Sequence, residues 1–329
     1  MDILLLGLAI GLVLLVLGGE ILVRGAVAAA TKLGVSSLVI GLTLVGFGTS
    51  MPEMVVSVQA VYSGSPGLAL GNIVGSNISN ILLIVGFSAL LLPMAVARDT
   101  VIRDGAAVML ATLAFAGICA FLVFDRTVGV VLVLALIAYL TFVWLQERNT
   151  TNDATAAEEA AAAKVSAASV LFSVVIAIVG MVILITGGTV LVDSAISIAR
   201  RLDVPDEVIG LTIVAIGTSL PELVTAIAAA IKRETDMALG SVLGSNMFNL
   251  LSIGGVTALL APTSFGAADH IVRFDNFVLL AATVLLLVMA WTRHRISRRE
   301  GALLFTLYIA YIGTLVWYEL SKTQVVAGA

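Results

Sequence analysis

Ten long apolar runs alternate with short polar stretches along this chain. They cover roughly residues 3–23, 36–61, 68–92, 104–124, 128–146, 167–190, 206–231, 238–260, 276–292 and 301–320. A helix needs about 20 apolar residues to cross the hydrocarbon core of a bilayer, so each run predicts a membrane-spanning helix. The polar residues that interrupt the pattern are not scattered. They concentrate inside the second, third, seventh and eighth runs. One low-complexity polar stretch, residues 147–166, parts five runs from five and reads as a linker too short to hold a folded domain.

The two sets of five repeat one another. GLTLVGFGTSMPE at residues 41–53 falls on GLTIVAIGTSLPE at 210–222, and GNIVGSNISN at 71–80 falls on GSVLGSNMFN at 240–249. Both alignments share an offset of 169 without a gap, and 14 of the 23 aligned positions are identical. Gly18-Gly19 falls on Gly187-Gly188 at the same offset. Five is an odd number, so the second set enters the membrane from the opposite side. The expected fold is an all-α polytopic membrane protein of ten transmembrane helices in two inverted five-helix repeats, residues 1–146 and 167–329, an arrangement common among secondary transporters.

Composition agrees with that architecture. The 329 residues are 60% hydrophobic and 12% charged, with a mean hydropathy of +1.15; a soluble domain carries about twice that charged fraction. The first run is too long for a cleaved signal and reads as the first span. Cys119 is the only cysteine, which excludes an intrachain disulfide and a thiolate metal cluster. Net charge is only −4, so placement matters more than total. With the N-terminus outside, Arg24, Lys32, Arg98, Arg103, Arg148, Lys164, Lys232, Arg233, Arg293, Arg295, Arg298 and Arg299 lie in the cytoplasm. Arg126, Arg200, Arg201, Arg273 and Lys322 then lie outside. Twelve against five predicts both termini outside and the linker in the cytoplasm of a cell-membrane protein.

The polar intramembrane segments carry the chemistry. Run two holds Gly46, Gly48, Thr49, Ser50, Pro52 and Glu53; run seven holds Ala215, Gly217, Thr218, Ser219, Pro221 and Glu222. Proline lacks an N–H and clashes with the carbonyl four residues back, so Pro52 and Pro221 free the carbonyls of Gly48 and Gly217. Thr49 and Ser50 share a helix face with Glu53, as Thr218 and Ser219 do with Glu222. Run three adds Ser76 and Asn80, and run eight Ser245 and Asn249, each pair four residues apart. Gly71, Gly75, Gly240 and Gly244 lie on those same faces and predict close helix approach. Asn77 and Asn246 are expected to serve packing. Thr43, Ser57, Gln59, Thr212 and Thr225 are candidates for lining an access path. Every donor atom in the set is oxygen, which suits Na⁺ or Ca²⁺ and argues against zinc or copper. Two glutamates balance one Ca²⁺, while an empty site would bury two like charges. Exchange of one ion for another avoids that state. A channel calls for a continuous pore, and an intramembrane enzyme for a nucleophile with its base or a metal dyad. No histidine lies at depth, so the chain reads as a transporter and not an enzyme.

GTSMPE (Gly48–Glu53) with GSNISN (Gly75–Asn80), and GTSLPE (Gly217–Glu222) with GSNMFN (Gly244–Asn249), resemble the two α-repeats of the cation/Ca²⁺ exchanger superfamily. The resemblance spans the whole ten-helix plan and is closest to the prokaryotic sodium/calcium exchangers. It implies an antiporter that takes about three Na⁺ for each Ca²⁺ across the plasma membrane, extruding Ca²⁺. It implies that helices one and six slide across the rest to alternate access. It also implies a metal set of Glu53, Glu222, Thr49, Thr218, Ser50, Ser219, Ser76, Ser245, Asn80 and Asn249, with backbone carbonyls at Gly46 and Ala215. Asparagine at both Asn80 and Asn249 is unlike the potassium-dependent branch, where one is Asp. GTSxPE in both halves is unlike the proton-coupled branch and favours Na⁺, while proton coupling through the same glutamates remains the alternative. Na⁺ and Ca²⁺ are then the bound substrates and lipid the surroundings. No cofactor, nucleic acid or obligate protein partner is called for.

Overall fold

The computed structural model describes residues 2–154, 167–202, 215–268 and 270–327. Its helices are α1 (Asp2–Leu33), α2 (Ser37–Thr49), α3 (Met51–Tyr62), α4 (Pro66–Leu91), α5 (Val101–Phe121) and α6 (Arg126–Ala154). They continue with α7 (Ala167–Arg201), the single turn α8 (Ala215–Thr218), α9 (Leu220–Ile231), α10 (Thr235–Leu260), α11 (Ile271–Arg293) and α12 (Arg298–Ala327). Eight of these are long and apolar enough to cross a membrane, and α2 with α3 forms a ninth span bent by 42°. The expected run at 206–231 appears as α8 and α9; residues 206–214 lie outside the described residues, as do 155–166 of the expected linker.

Several helices outrun their apolar segments. α1 continues past residue 23 to Leu33, and α7 continues past 190 to Arg201. At 1.5 Å per residue the 35 residues of α7 extend about 50 Å, well beyond a hydrocarbon core of about 30 Å. α6 likewise runs on to Ala154, so the start of the expected linker is helix. Hydrophobicity sets where lipid ends. It does not set where backbone hydrogen bonding ends.

α4 and α10 form the centre. In each, 83% of the most apolar stretch is buried inside the protein, against 22–39% in the other long spans. The outer helices turn leucine, valine and isoleucine outward, for example Leu6, Leu110, Leu134, Leu171 and Val288. That is the surface a bilayer solvates.

Glycine sets the closest approaches. On α1, a Cβ at Gly11 would stand 2.7 Å from Leu191 of α7; on α7, one at Gly187 would stand 2.6 Å from the Leu15 nitrogen and 2.9 Å from the Gly11 carbonyl. α1 and α7 therefore pack backbone to backbone. Lys32 Nζ joins the same pair, donating to the Ser169 carbonyl (3.0 Å) and Ser173 Oγ (2.8 Å). Glu20 ties α1 to the end of α9 through Lys232 at 2.8 Å, and pairs with Arg24 at 2.6 Å. α2 crosses α10 as closely: a Cβ at Gly41 would meet the Met237 carbonyl at 2.7 Å, and one at Gly240 the Leu38 carbonyl at 2.6 Å. The expectation for Gly240 and Gly244 therefore holds. Gly71 and Gly75 differ, because no described residue stands within 4 Å of a Cβ built at either.

Elements recur along the chain. α3 and α9 are 12 residues each and start 169 apart, at 51 and 220. The turn Gly46–Thr49 and α8 start 169 apart as well, at 46 and 215. Two short backbone pairings join loops distant in sequence. β1 (Met94–Ala95) pairs antiparallel with β2 (Arg295–Ile296), and Phe124 pairs with Phe265. Arginines 98, 293, 295, 298 and 299 surround the first, whereas the second is built on stacked Phe124 and Phe265 rings 5.3 Å apart.

The α1–α7 contact generates a stability prediction. Gly187→Leu should cost about 1–3 kcal/mol by overpacking and lower the melting temperature of the detergent-purified protein. Gly117→Ala, where a Cβ meets nothing within 4 Å, should not lower it. Equal melting of Gly187→Leu and wild type would contradict this packing.

Candidate cation-binding site

Each half breaks a helix beside its glutamate. Pro52 and Pro221 sit in the first turn of α3 and α9 and have no N–H to continue the preceding ladder. The breaks fall at Ser50 (φ −81°, ψ 1°) and Ser219 (φ −87°, ψ 3°). Glu53 and Glu222 thus occupy the first turn of a helix that starts inside the protein, where the helix dipole favours negative charge.

Both carboxylates are 1% exposed. They are close enough to interact electrostatically, and the Glu222 carboxylate lies near the hydroxyls of Thr49 and Ser50. Among the described residues, none hydrogen-bonds to Glu53 Oε2 or to either Glu222 carboxylate oxygen. Ser50 Oγ, Ser219 Oγ, Asn80 Oδ1 and both side-chain atoms of Asn249 are also buried and partnerless. Buried polar atoms are normally satisfied, so this concentration of free oxygen around two carboxylates marks a site for a ligand of positive charge.

The α2–α10 crossing brings in the neutral donors. Thr49 Oγ1 lies 3.2 Å from Ser245 Oγ, and both hydroxyls reach the Gly46 carbonyl at 3.4 Å. Glycine at 46 permits this, since a Cβ there would stand 2.9 Å from the Ser245 nitrogen. Phe47 packs edge-on to Phe248 at 5.3 Å beside the crossing. Asn80 of α4 donates through Nδ2 to Asn246 Oδ1 of α10 at 3.0 Å. That bond turns the free Asn80 oxygen away from Asn246, so Asn246 orients a neighbour, in line with its expected packing role.

The structure thus gathers Glu53, Glu222, Thr49, Ser50, Ser245 and the Gly46 carbonyl. Ser76, Ser219 and Asn249 are buried on the adjoining elements. Thr218 is partly buried, and Ala215 opens α8. Among the described residues no three His, Cys, Asp or Glu side chains come together; the site offers two carboxylates and neutral oxygens. Asn77 donates to the Ile73 carbonyl of its own helix, and Thr43 and Thr225 bond to theirs. Thr212 lies outside the described residues. Sequence reasoning passed over Asn72, whose Nδ2 donates to the Glu53 carbonyl (3.1 Å) and Ser57 Oγ (2.9 Å). Its place in the GNIVGSN motif was the available signal.

Known proteins resemble this chain over most of its length. The profile of the family described as Sodium/calcium exchanger protein matches residues 3–145 and 172–317. The uncharacterized membrane protein MJ0091 of Methanocaldococcus jannaschii is 36% identical over 93% of this chain and 96% of its own length. The sodium/calcium exchanger MaX1 of Methanosarcina acetivorans is 34% identical over 94% of this chain and 97% of its own. The solved structure of the sodium-calcium exchanger NCX_Mj, soaked with 10 mM Na⁺ and zero Ca²⁺, superposes with a TM-score of 0.83 at 34% identity, covering 96% of this chain and all of that one.

The donor set predicts cation-dependent stability. Ca²⁺ at about 100 times its dissociation constant should stabilise the folded protein by about 2.7 kcal/mol, read as a raised melting temperature in detergent. Glu53→Gln and Glu222→Gln should each abolish the rise. A full rise in both variants would place the cation elsewhere.

Proposed function

The chain belongs to the sodium/calcium exchanger protein family, and on that premise we propose that it exchanges Na⁺ for Ca²⁺ at one site shared by its two halves. One observation carries the proposal: a glutamate from each half is buried, the two close enough to interact electrostatically, with carboxylate oxygens that no described residue satisfies. A cation/Ca²⁺ antiporter needs such a site.

The chemistry runs as follows. Ca²⁺ takes about 6–8 oxygens, and the two carboxylates neutralise its charge. Thr49, Ser50, Thr218, Ser219, Ser76, Ser245, Asn80, Asn249 and the carbonyls of Gly46 and Ala215 complete the ligand set. Loss of Ca²⁺ would leave two like charges in a medium of low dielectric, at high cost. Na⁺ ions entering the same oxygens relieve that cost and carry the site back. About three Na⁺ for each Ca²⁺ makes the cycle electrogenic and suits Ca²⁺ extrusion. Thr-Ser before each glutamate supplies hydroxyl oxygens suited to Na⁺ at both ends of the site, as the sequence resemblance also implies.

The framework is two inverted five-helix repeats, residues 1–146 and 167–329, joined by the cytoplasmic segment 147–166 with both termini outside. Recurrence of α3 as α9 at an offset of 169, at the same length, supports the duplication. α1 and α7, packed on one another through glycine, are the pair that slides across the remaining helices to open the site to each side in turn.

Proteoliposomes loaded with Na⁺ should take up ⁴⁵Ca²⁺ with net charge movement, and Glu53→Gln or Glu222→Gln should reduce uptake to background. Uptake driven by a proton gradient alone would reassign the counter-ion. Ca²⁺ flux indifferent to both gradients would contradict antiport.

A further inference from the structure

The two glutamates occupy matching places, yet their surroundings do not match. Asn72 sits on α4 one turn before Ser76 and two turns before Asn80, so the three share a face. Its amide nitrogen spans to α3 with two hydrogen bonds, to the Glu53 carbonyl at 3.1 Å and to Ser57 Oγ at 2.9 Å. Both acceptors are deeply buried, Glu53 at 1% and Ser57 at 0% exposure. An amide NH₂ has two hydrogens, so one nitrogen serves both acceptors. The bonds hold the first two turns of α3, the turns that begin at the Ser50 break, against the α4 face that carries Ser76 and Asn80.

At the offset of 169, Asn72 becomes Ser241, Ser57 becomes Ala226 and Glu53 becomes Glu222. Ala226 has no acceptor to offer. Ser241 is 1% exposed, and its Oγ has no hydrogen-bond partner among the described residues. The second half therefore lacks the brace at these positions.

We propose that Asn72 is a positioning residue that clamps the backbone of Glu53 to the Ser76 and Asn80 face of α4, making the first turns of α3 the fixed arm of the site and those of α9 the adaptable one. The proposal rests on the reading of the two glutamates as the cation site. Its physical basis is preorganisation. A cation that meets an already oriented ligand does not bear the ordering cost of that ligand. Groups that orient metal ligands typically change metal affinity by about 10–100-fold when removed. With the α3 backbone at Glu53 braced, the movement that separates a Ca²⁺-filled from a Na⁺-filled site falls on the unbraced α9 turn that carries Glu222.

The test is Na⁺-driven ⁴⁵Ca²⁺ uptake in proteoliposomes, measured as KM and kcat for wild type, Asn72→Leu, Ser57→Ala and Ser241→Ala. Each variant is first checked for monodisperse protein. Asn72→Leu keeps the side-chain size and removes the donor; it should raise the Ca²⁺ KM about tenfold while kcat changes less than twofold. Ser57→Ala removes one of the two acceptors and should raise KM by a smaller factor. Ser241→Ala should change neither constant. A residue that merely packs would lower the yield of folded protein without moving KM. If Asn72→Leu fails to fold, Ser57→Ala decides: an unchanged KM there overturns the brace. An equal KM rise in Ser241→Ala overturns the asymmetry. Full exchange by Glu53→Gln in the same vesicles would instead overturn the reading of the site itself.

Discussion

Two carboxylates buried against each other without protein counter-charges are the constraint on which this molecule turns. Elsewhere the chain pairs its buried acids: Asp104 with Arg103 and Tyr139, Asp275 with Tyr311. Glu53 and Glu222 are left without basic partners, each at the start of a broken helix. Such a pair is tolerable in a lipid-embedded bundle when cations supply the missing charge. The surrounding features serve that arrangement. Proline and serine stop the helices beside the glutamates, glycine lets α2 cross α10 at backbone distance, and α4 and α10 are sunk in the centre with their hydroxyls and amides.

The same constraint accounts for the division between core and periphery. The inner helices α4 and α10 carry the polar and small residues. The outer spans α1, α5, α6, α7, α11 and α12 are apolar toward lipid. The α1–α7 pair stands somewhat apart, with its own glycine seam and with Glu20–Lys232 as an ionic link to the end of α9.

Much of the site was legible in the sequence, because burial of polar residue in an apolar run is itself abnormal. GTSMPE and GTSLPE announce a helix break, a hydroxyl pair and a carboxylate, and the structure realises all three. Span count and ends were less legible. α7 and α6 continue beyond their apolar cores because backbone hydrogen bonding does not stop where hydrophobicity stops. Gly71 and Gly75 looked equivalent to Gly240 and Gly244, but only the latter meet backbone at the α2–α10 crossing. The Asn72 bond to the Glu53 carbonyl was harder to read for a different reason. The GNIVGSN motif marks Asn72 as unusual, but a side chain that binds another helix's backbone does not reveal which helix it binds.

The most direct test of the shared site is an anomalous-scattering crystal structure of the protein grown in Ca²⁺. The account predicts one intramembrane peak within about 2.3–2.6 Å of carboxylate oxygens from both Glu53 and Glu222. A peak bound by only one of them, or two separate peaks with one at each glutamate, would contradict a single site built from both halves.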